Sequence, residues 1–143
     1  MDSRKSTGAY LFKLGGAAVS WASRRQTSVA LSSCEAEYMA ACMASKEAVW
    51  QRSFLEELGE PRTGPVEIKS DSESALNLMK NPVFHSKTKH IGIQYHFTRE
   101  LVGKGDVSFV FCRTAFMVAD SLTKAVPREK VEFCRDQMGL TRV

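Results

Sequence analysis

Three acidic residues stand out by where they fall. Glu37 lies in Ser-Ser-Cys-Glu-Ala-Glu-Tyr-Met-Ala-Ala, Asp71 ends Val-Glu-Ile-Lys-Ser-Asp, and Asp120 follows an alanine to open Asp-Ser-Leu-Thr-Lys. Each sits where one expected structural element hands over to the next. Carboxylates brought together from several such junctions can hold two divalent cations a few Å apart, the arrangement used for metal-assisted hydrolysis of a phosphodiester. Sites of this kind commonly use four carboxylates. The fourth is expected on a strand before residue 1, and the 143 residues offer no candidate for it.

The elements that must position these acids follow from patterning. Residues 8–14 and 17–22 are short apolar or alternating runs around Gly15-Gly16, a strong hairpin signal. Arg24 to Thr27 then reads as a polar loop. A helix is expected from Ser32 or Ser33 to about Leu58, stopped by Gly59 and Pro61. Residues 66–70 read as a strand leading into Asp71, followed by a short helix from Ser72 to Lys80, stopped by Asn81-Pro82. Ile93, Phe97 and Leu101 recur at helical spacing over 88–102, residues 107–112 read as a strand, and helices are expected over 118–125 and 128–138. No repeat, linker or low-complexity tract breaks the chain, so residues 1–143 read as one α/β domain.

Each acid also has an ordinary structural explanation. At about 100° per residue, Glu35 and Glu37 point roughly 160° apart on the helix. Glu37 shares a stripe with Ala41, Ala44, Ala48 and Leu55, a face suited to close packing on a sheet. Glu35 stands three residues after Ser32, as in a capping box. Glu37 could simply be a first-turn acid favoured by the helix dipole. Asp71 or Ser70 could cap the helix that follows, or Asp71 could sit in the crevice at the carboxyl end of a strand, where open α/β sheets bind ligands. Asp120, after the apolar stretch Ala115-Phe116-Met117-Val118-Ala119, could likewise be a capping or first-turn acid. The combination favours a shared site more than any member does.

Composition narrows the setting. A hydrophobic content of 43% and a charged content of 25% are ordinary for a globular domain, and the net charge of +4 is compatible with a polyanionic partner. Arg24-Arg25, Lys87, Lys89 and Arg99 are candidate phosphate contacts, although such charges are usually just solvated. Trp21 and Trp50 are expected in the core or at its rim. Cys34, Cys42, Cys112 and Cys134 show no C-x-x-C pairing, so reduced thiols are expected, and His85, His90 and His96 lack cysteines nearby. No apolar run approaches the roughly 18 residues of a membrane span, and the polar start lacks a signal-peptide core. A cytoplasmic or nuclear location is expected, with no membrane partner.

Five longer motifs occur in order: Arg-Lys-Ser-Thr-Gly-Ala-Tyr-Leu-Phe, Ala-Leu-Ser-Ser-Cys-Glu-Ala-Glu-Tyr-Met-Ala, Asn-Pro-Val-Phe-His-Ser-Lys-Thr-Lys-His-Ile, Tyr-His-Phe-Thr-Arg-Glu and Ala-Asp-Ser-Leu-Thr-Lys. From Asp2 to about Leu140 the chain closely resembles the ribonuclease H domain at the C-terminus of copia-type LTR retrotransposon Pol polyproteins. The resemblance implies a ribonuclease H-like fold, a mixed five-stranded sheet with helices on both faces. It implies cutting of the RNA strand of an RNA/DNA hybrid with two Mg²⁺ or Mn²⁺ ions, next to a reverse transcriptase portion. The 2′-hydroxyl pattern would distinguish RNA from DNA. It places the metal-holding carboxylates at Glu37, Asp71 and Asp120. Ser33 is then either a contact to the nucleic-acid backbone or a simple cap.

The sequence departs from that family in three places. The family's leading Asp lies on a strand before Arg-Lys-Ser-Thr-Gly and is absent here; Asp2 belongs to the loop after that strand. Ala115, Phe116 and Met117 replace polar residues and a Gln, with Arg113 in place of a usual Pro, and Gly92 occupies a position that is often acidic. The absent strand would be central in the sheet, so its two neighbours lose a partner. The expected consequence is low stability, or repair by direct closure of the sheet, by a donated strand, or by a homodimer. Weak or absent nuclease activity is expected of the isolated chain. The alternative is a non-catalytic module, derived from that domain, that binds nucleic acid or protein; a relic copy without a selected role is a third.

Overall fold

The computed structural model describes residues 5–27, 29, 30, 32–80 and 89–141, with backbone alone at 89–91. Strands β1 (Thr7–Leu14) and β2 (Ala17–Arg25) pair antiparallel. Gly15 and Gly16 both take positive φ, 61° and 84°, as a tight two-residue hairpin turn requires. Arg24 and Arg25 are not loop residues: they extend β2 opposite Gly8 and Thr7. The backbone ladder outlasts the apolar alternation from which the loop was expected, and the Gln26 N–H donates to the Ser6 carbonyl just beyond it.

Helix α1 (Ser33–Glu57) begins where the Ser32 hydroxyl accepts a hydrogen bond from the Glu35 N–H at 3.1 Å. It ends at Gly59, φ 78°, with the Glu60 N–H bonded to the Leu55 carbonyl and the Gly59 N–H to that of Glu56. These two bonds form a Schellman stop. Its buried face includes Tyr38, Ala41, Cys42, Ala44, Ser45 and Ala48. Small side chains there let the helix approach β1 and the parallel pair β3 (Val66–Ser70) and β4 (Val107–Phe111). Helices α2 (Glu73–Lys80) and α3 (Lys89–Gly103) also pack on α1, burying Tyr38, Ala75, Met79 and Tyr95 in one cluster. A second cluster joins Ala48, Leu101 and Val107 to Phe12, Phe97 and Phe109.

The strands form two separate two-stranded sheets, β1-β2 and β3-β4. Direct closure of the sheet, one of the expected repairs, is therefore contradicted: no bonding joins β1 to β3 among the described residues. Ala9 to Lys13 of β1 and Val66 to Ser70 of β3 instead line the same cleft of about 500 Å³. Ala40, Ala41 and Ala44 of α1 also line it, with Phe116–Ala119 and Gln137. α1 packs against both β1 and β3.

Beyond β4 the chain takes two 3-10 turns, Thr114–Phe116 and Val118–Leu122, in place of the helix expected over 118–125. The Ser23 hydroxyl donates to the Leu122 carbonyl and fixes this segment against β2. Helix α4 (Arg128–Gln137) docks its end on the hairpin, with the Ala18 N–H donating to the Met138 carbonyl at 2.9 Å. Trp21 and Trp50 are 62% and 59% exposed, so of the two places expected for them, core or rim, the core is excluded; Trp50 stacks on Phe54 at the surface.

Candidate functional site

Glu37, one turn into α1, lines the cleft beside Ala40 and Ala41. Asp71 follows the last residue of β3. The Ser72 hydroxyl accepts from the Ala75 N–H at 3.2 Å and Ser70 Oγ accepts from the Ser72 N–H, so Ser72 performs the capping of α2 that might have explained Asp71. The Asp71 carboxylate instead accepts from Thr114 Oγ1 at 2.9 Å. Asp120 is 9% exposed in the second 3-10 turn. Its Oδ2 accepts from Lys130 Nζ at 2.7 Å and lies 3.3 Å from Lys124 Nζ.

The three acids share one electrostatic environment. Burial, then the charges of Asp71 and Asp120, raises the Glu37 carboxyl above its ordinary pKa, and Lys124 opposes the rise. Glu37 is nonetheless exposed by surface area, so its desolvation is incomplete; the two aspartate contributions are what tie it to the others. Lys130 links two members directly. Besides Asp120, its ammonium donates at 2.6 Å to the Thr114 carbonyl, and the hydroxyl of that threonine holds Asp71.

As arranged, these side chains do not fit a divalent cation. Among the described residues no three His, Cys, Asp or Glu side chains stand close enough to hold one ion. Two ammonium groups face Asp120, both on its Oδ2, so a cation bound at that oxygen would have to displace them. Asp120 is balanced by protein cations, while Asp71 is held by a hydroxyl and Glu37 feels Lys124 only through its charge.

The other expected contacts are dispersed. Ser33 is exposed in the first turn of α1, within reach of the same helix end as Glu37. Arg24 is exposed near Glu47, whose carboxylate it helps to stabilise together with Ser20, Gln51 and Tyr10. Glu47 lies ten residues from Glu37, roughly 15 Å along the helix. The structure therefore does not bring Arg24 to the carboxylates. Arg99 is turned inward over the Tyr95 ring, 5.6 Å from its centroid. The Lys89 side chain, together with Lys87, His85 and His90, lies outside the described side chains. All four cysteines are free thiols, as expected. Among the described residues no helix is long and apolar enough to cross a membrane.

Sequence reading missed Thr114, Lys124 and Lys130. Lys124 stands four residues after Asp120, a spacing that does signal an ion pair. Thr114 and Lys130 carried no local signal, because their partners are set by the fold.

Among the described residues, fold and site define a mixed α/β unit of two small sheets and four helices, with three acids beside a strand-lined cleft. Over 140 residues, 98% of its length, the chain is 44% identical to the retrovirus-related Pol polyprotein from transposon TNT 1-94 of Nicotiana tabacum. It is 42% identical over 142 residues to that from transposon RE1 of Arabidopsis thaliana. The chain spans about a tenth of the length of these curated relatives, 10% in each case. A stretch of 50 residues is also 60% identical to secreted RxLR effector protein 161 of Plasmopara viticola, covering 35% of either chain. No protein-family model and no solved structure matches the chain significantly.

Proposed function

We propose that the chain is the ribonuclease H-like part of a retrotransposon Pol polyprotein, built for metal-dependent cutting of the RNA strand in RNA/DNA hybrids. The observation that carries this reading is that Glu37 lines the cleft and that Asp71 and Asp120, from two other elements, lie near enough to raise its carboxyl pKa. Identity to Pol polyproteins over almost the whole chain supports it. In this reading the cleft between β1 and β3 receives a further strand that bonds to both edges and brings a fourth carboxylate. Two Mg²⁺ or Mn²⁺ ions, when bound by the completed set, would supply Lewis-acid stabilisation and an activated water. Without that strand the present donor set is unfit for the ions, and the isolated chain cuts weakly or not at all.

The second reading is a non-catalytic nucleic-acid- or protein-binding module. The engagement of Asp120 by two lysines and the partial likeness to a secreted effector favour it. A cleavage assay on an RNA/DNA hybrid in Mg²⁺ or Mn²⁺ separates the two. Slow cleavage of only the RNA strand, abolished by Asp71→Asn, is expected of the nuclease reading. Hybrid binding without any cleavage, even after a strand is supplied, favours the module.

A further inference from the structure

A second groove, of about 560 Å³, lies at the other end of α1, between its last turns, the tip of the hairpin and the loop before β3. Trp50, Phe54 and Leu58 recur every four residues along it and are 59%, 45% and 60% exposed. Leu14 and Val19 of the hairpin also line it and are exposed. Five large apolar side chains thus stay in water around one groove. Scattered apolar residues on a surface are ordinary, but a contiguous group with a polar rim marks a place where another molecule docks.

The rim and the shape of the groove say what fits. Among the described residues no aspartate or glutamate lines it, whereas Lys13, Arg52 and Arg62 do. Arg52 is engaged by Asp106 at 3.5 Å and Lys13 reaches Gln137 at 3.4 Å, but Arg62 is exposed and has no ion pair among the described residues. Glu47, further back on α1, is already occupied by Ser20 and Gln51. An apolar floor under a cationic rim complements a segment that carries carboxylates beside an apolar face. The four-residue repeat supplies the shape, since it forms the kind of ridge that interdigitates with another helix. From Trp50 to Leu58 it runs about 12 Å, just over two helical turns. Nucleic acid fits less well. Bases stack on open ring faces, but Trp50 and Phe54 lie nearly parallel on each other, at 6°, and Leu14, Val19 and Leu58 offer no ring.

We infer that this groove docks an acidic amphipathic helix of a protein partner, with Trp50, Phe54 and Leu58 as the apolar anchor and Arg62 as the free charge contact. The inference is independent of the nuclease reading, because Trp50 stands about 20 Å beyond Glu37 along α1. A helix seated over two turns covers less than a standard interface, so the complex is transient.

The test uses the 143-residue chain and two labelled synthetic helices of about four turns. One carries glutamates beside a leucine stripe, and its twin has lysines in their place. Binding is followed by fluorescence anisotropy, and contact at the groove by Trp50 emission in a Trp21→Phe background. The acidic helix is expected to bind about tenfold or more tighter than its basic twin, to move Trp50 emission to the blue, and to weaken as salt is added. Trp50→Ser and Leu58→Ser should each weaken it by about tenfold, and Arg62→Glu by about threefold or more. Circular dichroism melting checks that each variant folds; if Trp50→Ser does not, Leu58→Ser carries the comparison. Equal binding of the two helices, no binding, or binding that both serine variants leave unchanged overturns the inference. So does a Trp50 shift produced by a single-stranded oligonucleotide and not by the acidic helix, which would make the groove a nucleic-acid site. A shift on concentrating the chain alone would seat a second copy there and exclude the partner helix. Trp50 already shielded from acrylamide in the dilute chain would place a segment of the chain itself in the groove, with the same consequence. None of these results bears on hybrid cleavage, so the nuclease reading stands or falls separately.

Discussion

At the scale of single residues, the site is a problem of charge. Glu37 has its carboxyl pKa raised by partial burial and then by Asp71 and Asp120. A carboxyl whose pKa is higher in the folded than in the unfolded chain stabilises the fold while protonated, and this contribution is lost as pH rises through the raised value. Glu37→Gln should therefore stabilise the protein at pH 7, by less than about 1 kcal/mol because the group remains exposed and screened. The gain should fade as pH falls through the raised value and be gone below 4.5, the ordinary value for this group. Melting curves at pH 4 and pH 7 check the sign; a variant less stable at pH 7 would contradict the coupling. Asp120→Asn should go the other way. It leaves Lys130 mostly buried beside a neutral amide, and a loss of roughly 1–3 kcal/mol in denaturant unfolding is expected.

At the scale of elements, local chemistry was legible where it is self-contained. Gly15-Gly16 announced the hairpin, and Ser32 and Gly59 bracketed α1 correctly because caps and left-handed stops are decided by the residues that form them. Placing Glu37 rather than Glu35 on the cleft side followed from helix geometry alone. Readings failed where distant partners decide. β1 draws Arg24 and Arg25 into β2, and the Ser23–Leu122 and Lys130–Thr114 bonds favour tight 3-10 turns where a helix was expected. For Trp50 the sequence left core or rim open, and α1 turns that face outward. Trp50→Ser should consequently cost less than about 1 kcal/mol, against the roughly 3–5 kcal/mol typical when a core aromatic is truncated. Gly139 is a contrasting small residue. Its φ is 73°, and a Cβ there would stand 3.1 Å from the Gly16 carbonyl oxygen and 3.2 Å from Ala17. Gly139→Ala should lower stability by roughly 1–2 kcal/mol by prising α4 from the hairpin, readable as a shift in urea midpoint without a change in slope.

At the scale of the whole molecule, the division of the sheet is the dominant feature. β1 and β3 each present an edge to one cleft, and exposed edges invite pairing with any available strand. The isolated chain should therefore self-associate as concentration rises, visible by sedimentation velocity. If the proposed reading holds, a version extended at its N-terminus by a strand that fits the cleft should stay monomeric and melt higher. The resemblance implied a strand between the hairpin and β3; whether the two edges would collapse together without it depends on α1 and the two core clusters, which no local motif encodes. The central claim is that three carboxylates beside this cleft form an incomplete nuclease centre that a strand completes. It is tested most directly by the single-turnover rate of RNA/DNA hybrid cleavage in Mg²⁺, comparing the strand-joined version with the 143-residue chain. The account predicts cleavage of the RNA strand that is roughly a hundredfold or more faster in the joined version and abolished there by Asp71→Asn. Equal rates in the two, or cleavage indifferent to Asp71→Asn, would contradict it.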